Sequence, residues 1–125
     1  ILVRHGEAAS SWSQHPDPGL SSDGAIQAKN VSEEFTEKFS SYELLSSPKS
    51  RAIETMEPIA LKQKRDFAIN NNFIEIPSAD IASEKKQAWL KQVFEAPLDE
   101  LPDAVKTWRH NLIHWLEGYK GNAIV

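Results

Sequence analysis

A chain of 125 residues, 40% apolar and 26% charged, is long enough for one soluble domain with a real core and too short for two. No apolar run approaches the roughly 18 residues that span a bilayer, and no basic-plus-apolar leader precedes the first apolar stretch. Cysteine is absent, which excludes disulfides, thiolate chemistry and cysteine metal sites and suits a reducing cytoplasm; a net charge of −4 argues against a general nucleic-acid or anionic-membrane surface.

Ile1-Leu2-Val3 is a short apolar run that ends in Arg4-His5-Gly6-Glu7. It predicts a buried parallel strand. In an open α/β sheet ligands sit just beyond the carboxyl ends of strands, so the run delivers Arg4 and His5 to that position. Gly6 permits a tight turn where a side chain would crowd a ligand. The chain lacks an initiator methionine and starts inside this strand, so further residues are expected upstream. Residues 8–19 form a polar loop punctuated by Pro16, Pro18 and Gly19. Trp12 and His15 lie here and read as exposed loop residues, with substrate contact as the alternative.

Ser21 is a candidate N-cap and Asp23 an acid in the first helical turn. Ala28, Val31, Phe35 and Phe39 recur at helical spacing, which predicts an amphipathic helix over 22–39 covering the sheet. Tyr42 to Ser47 is the second strand. Pro48 opens the next helix, Lys49 to Gln63, which Pro58 bends. Arg51 falls in its first turn, where free N–H groups and the helix dipole favour an anion. A solvated surface arginine is the plainer reading of the same position.

Phe67 to Ile69 predicts a short strand, and three asparagines after it a turn. In Phe73-Ile74-Glu75-Ile76-Pro77 the carboxylate either alternates outward on a half-buried strand or is held in a partly dry pocket suited to proton donation. Residues 78–102 are less regular, with a helix over 83–94 and a proline-bounded loop over 96–102. They read as a lid or subdomain and the place for substrate choice. Asp103 to Glu117 is a strong helix with Val105, Trp108, Leu112 and Leu116 on one face. His110 and His114 share the opposite face at the i, i+4 spacing of a metal clamp, but no Glu follows His110 and the face is the solvent one. Gly118 and Gly121 close the helix, and Asn122 to Val125 begins another buried strand.

Together these stretches resemble the histidine phosphatase superfamily, also called phosphoglycerate mutase-like. Leu2-Val3-Arg4-His5-Gly6-Glu7 resembles its signature strand and turn. The run from Gly19 to Ala28 is similar to its first helix start, and Ser46 to Thr55 to its second arginine motif. Phe73-Ile74-Glu75-Ile76 resembles the stretch carrying its acid, and Asp103 to Val125 its last helix and strand. The resemblance implies an α/β, three-layer fold with a mainly parallel central sheet flanked by helices. It makes residues 1–125 a single domain whose C-terminal part is missing.

The chemistry implied is phosphoryl transfer through phosphorylated His5, with no cofactor and no metal. Arg4 and Arg51 would clamp the phosphoryl oxygens with planar bidentate donors. Each such contact is worth about 4 kcal/mol at 4 Å and an effective dielectric near 20, so paired arginines can hold a dianion alone. Glu75 would protonate the leaving oxygen and then activate water. Glu7 could serve only to position the turn. The family's second pocket histidine belongs to a Ser-His-Gly-like turn that would begin directly after Val125, so a protein as short as this is expected to be impaired or inactive, while a longer parent could be a normal enzyme. The partner implied is a small phosphorylated metabolite or inorganic phosphate; nothing in the sequence sets an oligomeric state. The leading expectation is hydrolysis of a small phosphomonoester. A mutase of the same pocket, an impaired phosphate-binding or interaction domain, and a metal protein using His110 and His114 are the alternatives.

Overall fold

The computed structural model describes residues 1–11 and 15–125. The expectation for Trp12 lies outside the described residues. By their internal contacts these residues divide into two compact units, one of residues 1–74 and 120–125, the other of residues 75–119. No described helix is long and apolar enough to cross a membrane.

The first unit is built on a three-stranded, all-parallel sheet. Its strands are β1 (Glu43–Ser46), β2 (Ala68–Ile69) and β3 (Ala123–Ile124), in the order β2-β1-β3. Leu45 pairs with Ala68, and Leu44 with Ile124. Leu44, Leu45, Ala123 and Ile124 are all buried, as a parallel sheet requires of its central strands. Residues 1–3, expected as a buried strand, are not a regular one, and Ile1 and Leu2 are exposed. They nevertheless lie along β3: Val125 donates to the Ile1 carbonyl at 2.9 Å, and Val3 donates to the Val125 carbonyl at 2.6 Å. This alternation from one residue to its two neighbours is the parallel bonding pattern, so His5 still emerges beyond the sheet's carboxyl edge.

Helix α1 covers Ser22–Ser32 and α2 covers Ser50–Gln63. They pack on each other, and α2 packs on β1. Ser21 caps α1 as expected, its Oγ accepting from the Gly24 N–H at 3.0 Å. The helix expected to reach residue 39 stops at Ser32, and a 3₁₀ turn at Glu37–Phe39 follows. Two features account for this. The Ser32 hydroxyl donates to the Lys29 carbonyl, competing with the helical ladder. The N–H groups of Glu33, Glu34 and Phe35 then bond three residues back, tightening the end of the helix. The apolar set predicted for one long helix survives the break: Phe35 joins Leu44, Met56, Ile59, Ala60 and Ile124 in the core, with Val31 and Phe39 packed against it. Pro58 sits inside α2 without ending it. After β2, the Asn70 side chain accepts from the Asn72 N–H and closes the turn its neighbours predicted.

The second unit contains α3 (Lys86–Glu95) and α4 (Asp103–Gly118). The helix predicted from residue 83 begins as a 3₁₀ turn over Ser83–Lys85. On α4, Val105 is buried and Trp108 and Leu112 are half-buried, whereas Leu116, placed on the same face, is exposed. His110 and His114 are exposed and stack on each other at 6.0 Å. Among the described residues no group of three or more candidate ligands gathers as a metal site would need.

Two glycines set the distance between α1 and the segment after His5. A Cβ on Gly6 would stand 2.5 Å from the Gly24 carbonyl oxygen, and a Cβ on Gly24 would collide with the Glu7 backbone. Both obstacles are backbone and cannot rotate away. Gly24→Ala is therefore expected to cost about 1–3 kcal/mol by overpacking. Gly118→Ala meets nothing within 4 Å and should stabilise α4 by up to about 1 kcal/mol. Urea midpoints of the two variants check the contrast.

Candidate functional site

His5 leaves the sheet edge half-buried and meets the start of α2. The Arg51 Nε–H donates to His5 Nε2 at 3.0 Å, and His5 Nδ1 lies 2.7 Å from the carbonyl oxygen of Gly6. These partners fix the tautomer. Arg51 has only protons to offer, so Nε2 presents its lone pair; a carbonyl can only accept, so Nδ1 carries the proton. The imidazole is thus oriented from both sides, with its basic nitrogen turned toward a guanidinium.

Arg51 is 2% exposed, not the solvated surface residue its position in a first helical turn would allow. A buried guanidinium needs charge and hydrogen bonds around it. Besides His5, the Asp17 carboxylate stands 3.9 Å from Nη1. Asp17 also closes the α2 N-terminus: it accepts from the Ser50 N–H at 3.2 and 3.3 Å and from the Ser50 hydroxyl at 2.8 Å. Burial pushes the Asp17 carboxyl up, but the Ser50 hydroxyl and N–H, with Lys49 and Arg51 nearby, outweigh it and hold the group below its ordinary 3.8.

Arg4 is exposed, one residue before His5. Glu75 belongs to the second unit and is half-buried. Glu7 holds the turn: its Oε1 accepts from the Ser21 hydroxyl at 2.9 Å, its carbonyl from the Ser21 N–H at 2.8 Å, and its N–H donates to Gln27. His15 is exposed, and its Nδ1 accepts from the Asp17 N–H.

Sequence reasoning passed over Asp17, Glu54 and Thr55. The Glu54 carboxylate accepts from the Leu20 N–H at 2.6 Å and occupies the space a side chain at Gly19 would need. Thr55 Oγ1 accepts from the Gly6 N–H at 3.1 Å and donates to the Arg51 carbonyl at 2.7 Å. A signal for Asp17 did exist. The residue preceding α2 is Lys49, whose side chain cannot accept, which leaves the N–H groups of the helix start open to an acceptor from elsewhere in the chain, to water or to a ligand.

The arrangement of an imidazole on a buried arginine, at a parallel sheet's edge and a helix start, suits an anionic group. The comparisons agree with that class. The model of the histidine phosphatase superfamily (branch 1) matches residues 1–116, and the chain belongs to this superfamily. No curated protein matches it in sequence. Among solved structures it is similar to a Thermus thermophilus protein at 22% identity, covering 98% of this chain and 74% of that one with a TM-score of 0.66. The alpha-ribazole phosphatase from Shigella flexneri is 21% identical, with 99% and 71% covered and a TM-score of 0.66. Phosphoserine phosphatase from Entamoeba histolytica, in complex with 3-phosphoglyceric acid, is 20% identical, with 98% and 70% covered and a TM-score of 0.62. The parallel-sheet α/β fold is thus shared with phosphatases.

The Asp17 cap has a pH signature. Because its folded value is lowered, its stabilisation is present above about pH 4 and is lost as pH falls through the lower folded value. Asp17→Asn, which keeps an acceptor and loses the charge, should cost about 0.3–1 kcal/mol at pH 7, the scale of a solvent-screened charge near a helix N-terminus. The gap to the wild type should narrow in urea titrations as pH falls below 3.8.

Proposed function

We propose that the protein hydrolyses a small phosphomonoester through a phosphohistidine at His5. His5 Nε2 attacks phosphorus, the P–O bond to the leaving group breaks, and a general acid, the role the superfamily resemblance suggests for Glu75, gives that oxygen its proton. Water then attacks phospho-His5 while the same group takes a proton back, releasing inorganic phosphate and free imidazole. Arg51 and Arg4 hold the phosphoryl oxygens, and Arg51 exchanges its bond to Nε2 for bonds to those oxygens as the substrate seats. The Gly6 carbonyl keeps the proton on Nδ1 throughout, so the ring arrives with the correct nitrogen unprotonated.

The observation that carries the reading is the direct Arg51–His5 hydrogen bond, which joins a nucleophile and a phosphate ligand from segments 46 residues apart. Superfamily membership supports it, as does the company of phosphatases at the level of fold. The Entamoeba structure's 3-phosphoglyceric acid and the Shigella protein's name indicate the substrate class we propose here, a small phosphorylated metabolite. No metal or cofactor enters this scheme, and the cysteine-free composition suits a cytoplasmic setting.

Incubation with a 32P-labelled phosphomonoester should leave an acid-labile adduct on the protein that His5→Ala abolishes. Arg51→Ala should lower kcat/KM about 10²–10³-fold, the scale for removing one transition-state donor. Arg51→Lys should fall between, since it keeps the charge but not the planar fork. Lys49→Ala, in the same helix start, should stay within a few-fold of wild type. Absence of both adduct and phosphomonoester hydrolysis, in this chain and in any longer parent that carries it, would refute the proposal.

A further inference from the structure

The Thr55 hydroxyl lies inside α2, where the residue is 5% exposed, and it reaches the site through two backbone groups. A threonine in a helix commonly donates to the carbonyl four residues back, and the Thr55 bond to the Arg51 carbonyl at 2.7 Å is of that kind. The second bond is not. The same oxygen accepts from the Gly6 N–H at 3.1 Å, across 49 residues of sequence. A hydroxyl has one proton, and Thr55 places it on Arg51, so only lone pairs remain to face Gly6. The direction of both bonds is thereby set.

These bonds close a circuit. Gly6 is bonded at its N–H by Thr55 and at its carbonyl by the His5 ring. Arg51 is bonded at its carbonyl by Thr55 and through its guanidinium to the same ring. Gly6 is buried with the Gly24 backbone against it, so the turn has no slack on its other side. We propose that Thr55 is a positioning residue that fixes the imidazole of His5 relative to Arg51 for in-line attack. The proposal rests on the phosphohistidine reading and goes beyond it by naming what sets the nucleophile's place. Without the hydroxyl, the buried Gly6 N–H loses its acceptor, and the circuit that ties the turn and its imidazole to α2 is opened.

The test compares Thr55→Val, which keeps the shape and loses the hydroxyl, with Thr55→Ser, which keeps the hydroxyl and loses a methyl group. Single-turnover formation of the phospho-enzyme from a labelled phosphomonoester should slow roughly 10- to 100-fold in Thr55→Val with KM little changed, as small misplacements of reacting groups do. Thr55→Ser should keep a near-wild-type rate although it loses stability in urea. A role in stability alone would make the rates follow the urea midpoints instead. If Thr55→Val does not fold, Thr55→Cys, a weak acceptor, carries the comparison and must be slower than Thr55→Ser. A wild-type rate in Thr55→Val, or an equal loss in Thr55→Ser, overturns the proposal. No phospho-enzyme in this chain or in any longer parent that carries it overturns the underlying reading and this inference with it, whereas a wild-type adduct with an unaffected Thr55→Val overturns this inference alone.

Discussion

The contact between the Arg51 guanidinium and the His5 ring depends on one face of α2, and so does the segment around it. Ser50, Arg51, Glu54 and Thr55 follow one another at the spacing that puts side chains on adjacent rows of a helix. Each bonds a different point of the chain between residues 5 and 20: Asp17, His5, Leu20 and Gly6 respectively. A rigid helix thereby serves as the template for a turn and a loop that have little regular structure of their own. The packing of Met56, Ile59 and Ala60 into the core holds that template still.

Burying Arg51 is the electrostatic constraint of the site. An isolated charge there would be too costly, and its surroundings answer with a neutral ring nitrogen and a carboxylate at a distance. Asp17 is close enough to stabilise the guanidinium but is itself committed to the helix start through Ser50. The carboxylate's charge therefore serves the α2 N-terminus first, and the planar fork of the arginine suits an anion that arrives from solution.

The glycines matter through distance rather than conformational freedom. Gly6 and Gly24 carry no positive φ. They allow α1 to lie against the backbone of the turn, and Ser21 and Gln27 then bond Glu7 from the same helix. The turn after His5 is consequently held between α1 on one side and α2 on the other. Such support is what a reacting group needs if it is to stay within a fraction of an ångström of its working position.

How much of this was legible in the sequence follows from the range of the interactions involved. Local pattern determined the α/β class, the α1 cap at Ser21, the extents of α2 and α4 to within a residue or so, and the meeting of Arg-His-Gly with a sheet edge, because caps, periodicity and apolar runs act over a few residues. It could not decide where α1 stops, since the Ser32 back-bond and the competing core positions of Phe35 and Phe39 are settled by packing. Nor could it decide whether Arg51 faces water or His5, that Asp17 caps a helix 33 residues away, or that Thr55 reaches Gly6. Those bonds join segments that only the folded chain brings within hydrogen-bonding distance, and nothing in the local sequence records their partners.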